Sequence, residues 1–247
     1  MTEADWLSST DTKRMLRFLG RRASVRKLRL FACACCRRVW PLLTDDRSRA
    51  AVEVAERFAD GQATEPDRVA ACQAAADLDW QINREEGEGD TSRGMAHVAT
   101  VSAVNDDRSF LPTDGDDEDF RAAEDSAHCA AVTVEYQFPR VTHRNAAQRG
   151  KAQRAARAAE QAVQVAMLRD IFGNPFRPLV FERRCRSADT LDLARGIYDE
   201  REFDRLPILA DALQDAGCEL EELLRHCRGP GPHLRGCWAL DLVLGRE

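Results

Sequence analysis

The chain has 247 residues, of which 44% are hydrophobic and 32% charged, and its formal net charge at pH 7 is -6. These values are typical of folded globular proteins and exclude a disordered or fibrous chain. No apolar run reaches the roughly 18 residues that span a bilayer, and the N-terminus has neither the basic nor the apolar region of a signal peptide. We therefore expect a cytoplasmic protein with no membrane partner.

The first clear run of apolar residues at helical spacing lies in 24–40, where Ser24 is the predicted N-cap. Thr44 is predicted to cap the next helix, which Gly61 closes, and Thr64 is predicted to start a third helix. The stretch at 85–94 holds three glycines, so we predict a flexible linker there.

The middle of the chain is rich in alanine and less sharply patterned. Helical stripes are predicted for 120–138 and 152–167, and an acidic loop is predicted near 105–118. The residues at 132–138 alternate as in a strand, but a single strand without a partner is hard to accommodate. We therefore predict helix for 132–138.

Four short helices are predicted after the glycine- and proline-containing segment 173–178, in a C-terminal helical subregion spanning 187–247. Asp204 is the predicted N-cap of the second of them, and the last runs over 237–244. The sequence thus predicts one all-α domain, 1–247, a globular bundle of about eight or nine helices.

The large apolar residues concentrate at the two ends of the chain, in 28–58 and 206–244. Large side chains dominate the free energy of burial. We therefore expect the two ends to pack on each other as one core, with the alanine-rich middle outside it.

Three strings suggest a relationship to other proteins: KLRLFACACCRRVWPLLTDDRSRAAVEVAERFADG, LRDIFGNPFRP and FDRLPILADALQDAGCELEELLRHCRGPGPHLRGCWALDLVLG. The chain resembles a large, expanded family of uncharacterised bacterial proteins that carry such an N-terminal block, a variable alanine-rich middle and such a C-terminal block. The resemblance implies no activity.

The C-terminal stretch HCRGPGPHLRGCW is a candidate metal site. A structural zinc ion needs four ligands, usually cysteine and histidine, at tetrahedral positions. Cys227, His233 and Cys237, with Cys218 or His226 as the fourth, supply such a set, although no C-x2-C pair opens it. The alternative, which the spacing favours, is a packed corner without zinc or any other cofactor, in which the histidines cap helix ends.

The nine cysteines are odd in number and occur in a long chain without a signal peptide, so we expect reduced thiols rather than disulfides. Cys33 and Cys36 form a C-x2-C pair flanked by arginines, but no βαβ pattern surrounds them, and they are predicted to be core thiols. The adjacent pair His226 and Cys227 does not share a helix face. With no nucleophile motif present, we expect no enzyme activity.

Charge is strongly segregated: 12–44 carries ten basic residues and no acid, and 106–125 carries nine acids. The candidate nucleic-acid or partner contacts in the basic segment 13–38 are Arg26, Arg29, Arg37 and Arg38. Pairing of these arginines within the fold is the competing expectation, so nucleic acid is a less favoured partner. By elimination, the sequence predicts a helical protein-interaction module that binds another protein.

Overall fold

The computed structural model describes residues 1–86, 92–104, 118–136, 146–182 and 185–246, and within them the chain is all-helical with no strand. The described part contains twelve α-helices. Their bounds are α1 Glu3–Ser8, α2 Thr12–Leu19, α3 Val25–Arg38, α4 Asp46–Ala59, α5 Glu65–Glu86, α6 Ser92–Val104, α7 Glu118–Tyr136, α8 Ala146–Phe172, α9 Ala188–Glu200, α10 Leu206–Asp215, α11 Glu221–Arg228 and α12 Trp238–Leu244.

The all-α prediction is confirmed, but the predicted number of helices is too low. The helices that the sequence pattern did not separate are α1, α2 and α6, and two of them are short. Helix α1 has six residues and α2 has eight. Helices α11 and α12 are about as short, but the glycines and prolines at 229–232 mark the turn between them. Helical structure from Val132 to Tyr136 agrees with the prediction for that stretch.

The predicted linker and the predicted acidic loop fall mostly outside the described residues. Positions 87–91 and 105–117 are not described. The flanking residues are helical, because α5 extends to Glu86, α6 begins at Ser92 and α7 begins at Glu118. In the described helices, no segment is both long and apolar enough to cross a membrane.

The chain divides into two compact units. One consists of Met1–Ser8 and Ala166–Glu247, and the other of Ser9–Val165; we refer to them as the C-terminal unit and the central unit. The predicted subregion 187–247 contributes α9 to α12 to the C-terminal unit. The assignment of 1–247 to a single domain stays a prediction.

In the central unit, α3 packs against α4, α6 and α7, and α6 also packs against α5. The expectation that the alanine-rich middle lies outside the core is therefore wrong. Ala96, Ala99 and Ala123 are completely buried, because small side chains let helix backbones approach closely. The large apolar residues of 206–244 belong instead to the core of the C-terminal unit.

The N-terminal helix α1 is tied to the end of α8 within the C-terminal unit. Trp6 is fully buried, and its indole N–H donates to the carbonyl of Gly173 at 3.0 Å. The Arg169 guanidinium donates to the Trp6 carbonyl at 2.9 Å. These bonds fix the last turn of α8, which carries Asp170.

Helix starts agree with the sequence in part. Ser24 is the N-cap of α3, and its hydroxyl accepts from the Lys27 N–H, as predicted. The N-cap of α4 is Asp45 rather than Thr44, and a carboxylate is at least as good a cap as a hydroxyl. Asp204 does not cap α10, because a 3-10 turn precedes that helix and its first flanking residue is Arg205.

Candidate metal centre

Four polar side chains from separate segments of the C-terminal unit converge at one point. Asp170 comes from the last turn of α8 and His226 from the last turn of α11. His233 lies in the loop between α11 and α12, and Cys237 is the N-cap of α12. We call these four residues the quartet; one ligand atom from each lies within 4.8 Å of all the others.

Three separations within the quartet are short. His226 Nε2 lies 3.1 Å from Cys237 Sγ and 3.2 Å from Asp170 Oδ1, and His233 Nδ1 lies 3.3 Å from the same Oδ1. Tetrahedral ligands at zinc distances of 2.0 to 2.3 Å are separated by about 3.3 to 3.8 Å. These three separations are thus close to the tetrahedral value, and the other three, which are at most 4.8 Å, would have to shorten by at most about 1 Å.

The quartet is shielded from solvent. Asp170 and Cys237 are buried, and the His226 and His233 side chains are exposed by 20% and 9%. The second carboxylate oxygen of Asp170 accepts the backbone N–H of Leu234 at 2.9 Å. This bond orients the carboxylate so that Oδ1 faces both histidine rings.

His233 is held in an orientation that suits a ligand. Its Nε2 lies 3.1 Å from the Gly229 carbonyl, to which it donates, so Nδ1 is the ring nitrogen that faces Asp170. Metal-bound histidines typically donate their other ring N–H to a carbonyl or a carboxylate in this way. Burial opposes the charged ring, but the bonds to Asp170 and Gly229 outweigh burial and raise the pKa of His233.

His226 has a different outer contact. The Trp238 indole N–H donates to His226 Nδ1 at 3.2 Å, and the two rings have centroids 4.8 Å apart. Since Nδ1 accepts a hydrogen bond, the ring proton of neutral His226 lies on Nε2. That Nε2–H points at Asp170 and Cys237.

Glycine residues in the loop from 229 to 236 set the position of His233. Gly231 has φ +85°, and a Cβ at this position would lie 2.9 Å from the backbone nitrogen of His233. A side chain at residue 231 is thus excluded both by backbone conformation and by contact. The glycine- and proline-rich loop that follows α11 thus brings His233 to Asp170.

The sequence-predicted ligands and the quartet overlap in two members, His233 and Cys237. Cys218 and Cys227 are not in the quartet; both lie in the hydrophobic core of the C-terminal unit. Burial raises the pKa of the Cys227 thiol to about 12, as expected of a core thiol. His226 was predicted only as an alternative fourth ligand, and Asp170 was not predicted from the sequence.

The quartet does not have the geometry of a nucleophilic catalyst. In such a site the acid orients the histidine through the ring nitrogen opposite the nucleophile. Here Asp170 and Cys237 both face Nε2 of His226, and the opposite nitrogen accepts from Trp238. Burial and the charge of Asp170 also raise the pKa of Cys237 well above its ordinary value, which disfavours the thiolate.

All nine cysteines are free thiols, and the C-x2-C pair lies in the core of the central unit. Cys33 and Cys36 are almost completely buried. Burial raises the pKa of both thiols, despite the neighbouring Arg29 and Arg37 in the case of Cys33. The prediction of core thiols at these positions is confirmed.

The four candidate arginines are engaged within the central unit. Arg26 pairs with Asp60 at 2.9 Å, Arg37 with Glu56 at 2.7 Å and Arg38 with Glu160 at 3.0 Å. Arg29 is buried, with its guanidinium 4.8 Å from the centre of the Phe58 ring. A further basic residue, Lys13, pairs with Glu124, which belongs to the acidic block. These contacts inside the fold engage the positive charges of the basic segment, whereas binding to phosphate groups would require such charges to be unpaired.

No known protein family, curated protein or solved structure matches the chain at a significant level. The resemblance to an uncharacterised bacterial family therefore stays a prediction.

Proposed function

We propose that the protein is a zinc-binding helical protein, and that the ion binds the quartet of Asp170, His226, His233 and Cys237. The observation that carries the proposal is that a ligand atom of each lies within 4.8 Å of the other three. Zinc accepts sulfur, nitrogen and carboxylate ligands. Calcium and magnesium prefer all-oxygen sites, and this donor set does not suit them.

Charge supports a divalent ion. With the cysteine as thiolate, the two negative ligands balance the two positive charges of zinc, and the histidines are neutral ligands. A site of zero net charge is the least costly to bury. Without an ion, the buried carboxylate of Asp170 has the two histidines as its ion-pair partners among the described residues, and no arginine or lysine pairs with it there.

The proposed role of the ion is structural. Catalytic zinc keeps three protein ligands and one open position, whereas structural zinc has four protein ligands. The quartet supplies four, and two of them are buried. The ion would join the end of α8, the end of α11, the intervening loop and the start of α12 within the C-terminal unit.

Metal titration of the purified full chain tests the proposal. After removal of metal with a chelator, zinc sulfate should bind at about one equivalent, and the thermal unfolding temperature should rise with zinc concentration. A ligand at a hundred times its Kd stabilises the folded state by about 2.7 kcal/mol. Absence of both stoichiometric uptake and a thermal shift would overturn the proposal.

The chain offers a matched pair of control variants. Cys227 and Cys237 are both completely buried and both belong to the core of the C-terminal unit, but Cys237 alone of the two is in the quartet. Cys237→Ala should abolish zinc binding, whereas Cys227→Ala should retain it at about one equivalent. Equal behaviour of the two variants would contradict the assignment of the ligands.

Binding of another protein, inferred above by elimination, stays a prediction, as does the low expectation for nucleic acid and for enzyme activity. The zinc proposal is compatible with an interaction module, because a structural ion shapes a surface without acting on a substrate. The internal pairing of Arg26, Arg37 and Arg38 supports ranking nucleic acid last.

A further inference from the structure

The Trp238 indole contacts a proposed ligand from outside the quartet. Trp238 is the first residue of α12, next to the ligand Cys237. Its N–H donates to His226 Nδ1, on the side of the ring away from Asp170 and Cys237. The outer contact of His233 differs, since its ring donates to a carbonyl and does not accept.

Zinc binding and the Trp238 hydrogen bond need opposite tautomers of His226. A neutral imidazole carries one proton, so ligation through Nε2 moves that proton to Nδ1. Nδ1–H and the indole N–H would then be two donors facing each other, 3.2 Å apart in the metal-free arrangement. One hydrogen bond is therefore lost when zinc binds, and the indole must turn to another acceptor or to water.

We propose that Trp238 is a positioning residue that lowers the zinc affinity of the quartet by holding His226 in the tautomer that cannot ligate through Nε2. This inference rests on the proposed function, since it concerns the affinity of the same site. Zinc binding is thereby coupled to the hydrogen bond of the Trp238 indole ring. Zinc occupancy therefore changes the hydrogen bonding of Trp238 at the start of α12.

The central experiment compares zinc affinity in Trp238→Phe and Trp40→Phe, measured by competition with a chromophoric chelator. Both changes replace an indole by a phenyl ring, but Trp40 lies in the central unit, which contains no member of the quartet. Trp238→Phe should bind zinc about 2- to 10-fold more tightly than the wild type, the equivalent of one ordinary hydrogen bond. Trp40→Phe should bind as the wild type does.

The two proposals fail in different ways. If the wild type takes up zinc and Trp238→Phe binds it equally or more weakly, the role of Trp238 is overturned and the zinc site stands. If neither protein takes up zinc, the zinc site itself is overturned. General damage to the fold would weaken binding, so a gain in affinity is a result that a purely structural role for Trp238 does not produce.

A second measurement on the wild type covers the case in which Trp238→Phe does not fold. The chain has four tryptophans, so its NMR spectrum contains four indole N–H signals. On addition of zinc sulfate the Trp238 signal should move, and its exchange with solvent should accelerate as its acceptor is lost. An unchanged Trp238 signal at full zinc occupancy would overturn the proposal.

Discussion

Replacement of Gly231 by alanine tests whether the loop geometry positions His233. The added Cβ would lie 2.9 Å from the His233 backbone nitrogen and 3.3 Å from its ring, in a residue with φ +85°. Gly217 is a matched control, since it has φ +81° in the same unit and a Cβ there meets nothing within 4 Å. The left-handed conformation costs a non-glycine residue about 1 to 2 kcal/mol in either place.

The contact with His233 is therefore what distinguishes the two variants. Gly217→Ala should lose about 1 to 2 kcal/mol of unfolding free energy in urea and keep the zinc affinity of the wild type. Gly231→Ala should lose more stability than that, and its zinc affinity should fall about 10- to 100-fold, as when an outer support of a ligand is removed. Equal stability and equal zinc affinity in the two variants would refute the argument that Gly231 places His233.

Two further predictions concern the central unit and the thiols. In the metal-free native protein at pH 8, about one thiol should react quickly with a disulfide reagent, because eight cysteines are buried and Cys72 is half-buried. Cys72→Ser should abolish this fast reaction. Fast reaction of several thiols would contradict the prediction. Arg37→Ala should destabilise the protein by about 3 kcal/mol, since it leaves the buried Glu56 without its bidentate partner. Arg225→Ala removes an exposed pair with Glu221 and should cost at most about 1 kcal/mol; equal losses in urea unfolding would show that the Arg37 pair is not structural.

The sequence pattern predicted the helices well where a cap or a turn marks their ends, including the short α11 and α12, and poorly where the residues are small, as in α6. Ser24 and the stripe of α3 were recognisable because a cap precedes several turns of periodic apolar residues. The buried alanines of α6 were missed because alanine carries little burial signal. Close packing of small side chains depends on the partner helix, which periodicity within one segment does not reveal.

Only two members of the quartet, His233 and Cys237, were among the ligands predicted from the sequence. Cys227 could have been assigned to the core, because it lies three and four residues after the buried Leu224 and Leu223 on α11. Asp170 has no Cys or His spacing to mark it. Its signal is weaker: an acid in the last turn of a helix, where the dipole disfavours it, between the buried Leu168 and Ile171.

Asp170, the ligand that the sequence pattern did not mark, is the one through which a bound metal ion would most increase the stability of the fold. His226 and Cys237 are 11 residues apart, so a clip between them closes a short loop. Asp170 and His233 are 63 residues apart, and the entropy of closing a flexible loop grows as the logarithm of its length. The difference between the two closures is about 1.5 kcal/mol. Helices α9 and α10 lie within the longer loop, so zinc bound through Asp170 should stabilise the whole C-terminal unit against unfolding.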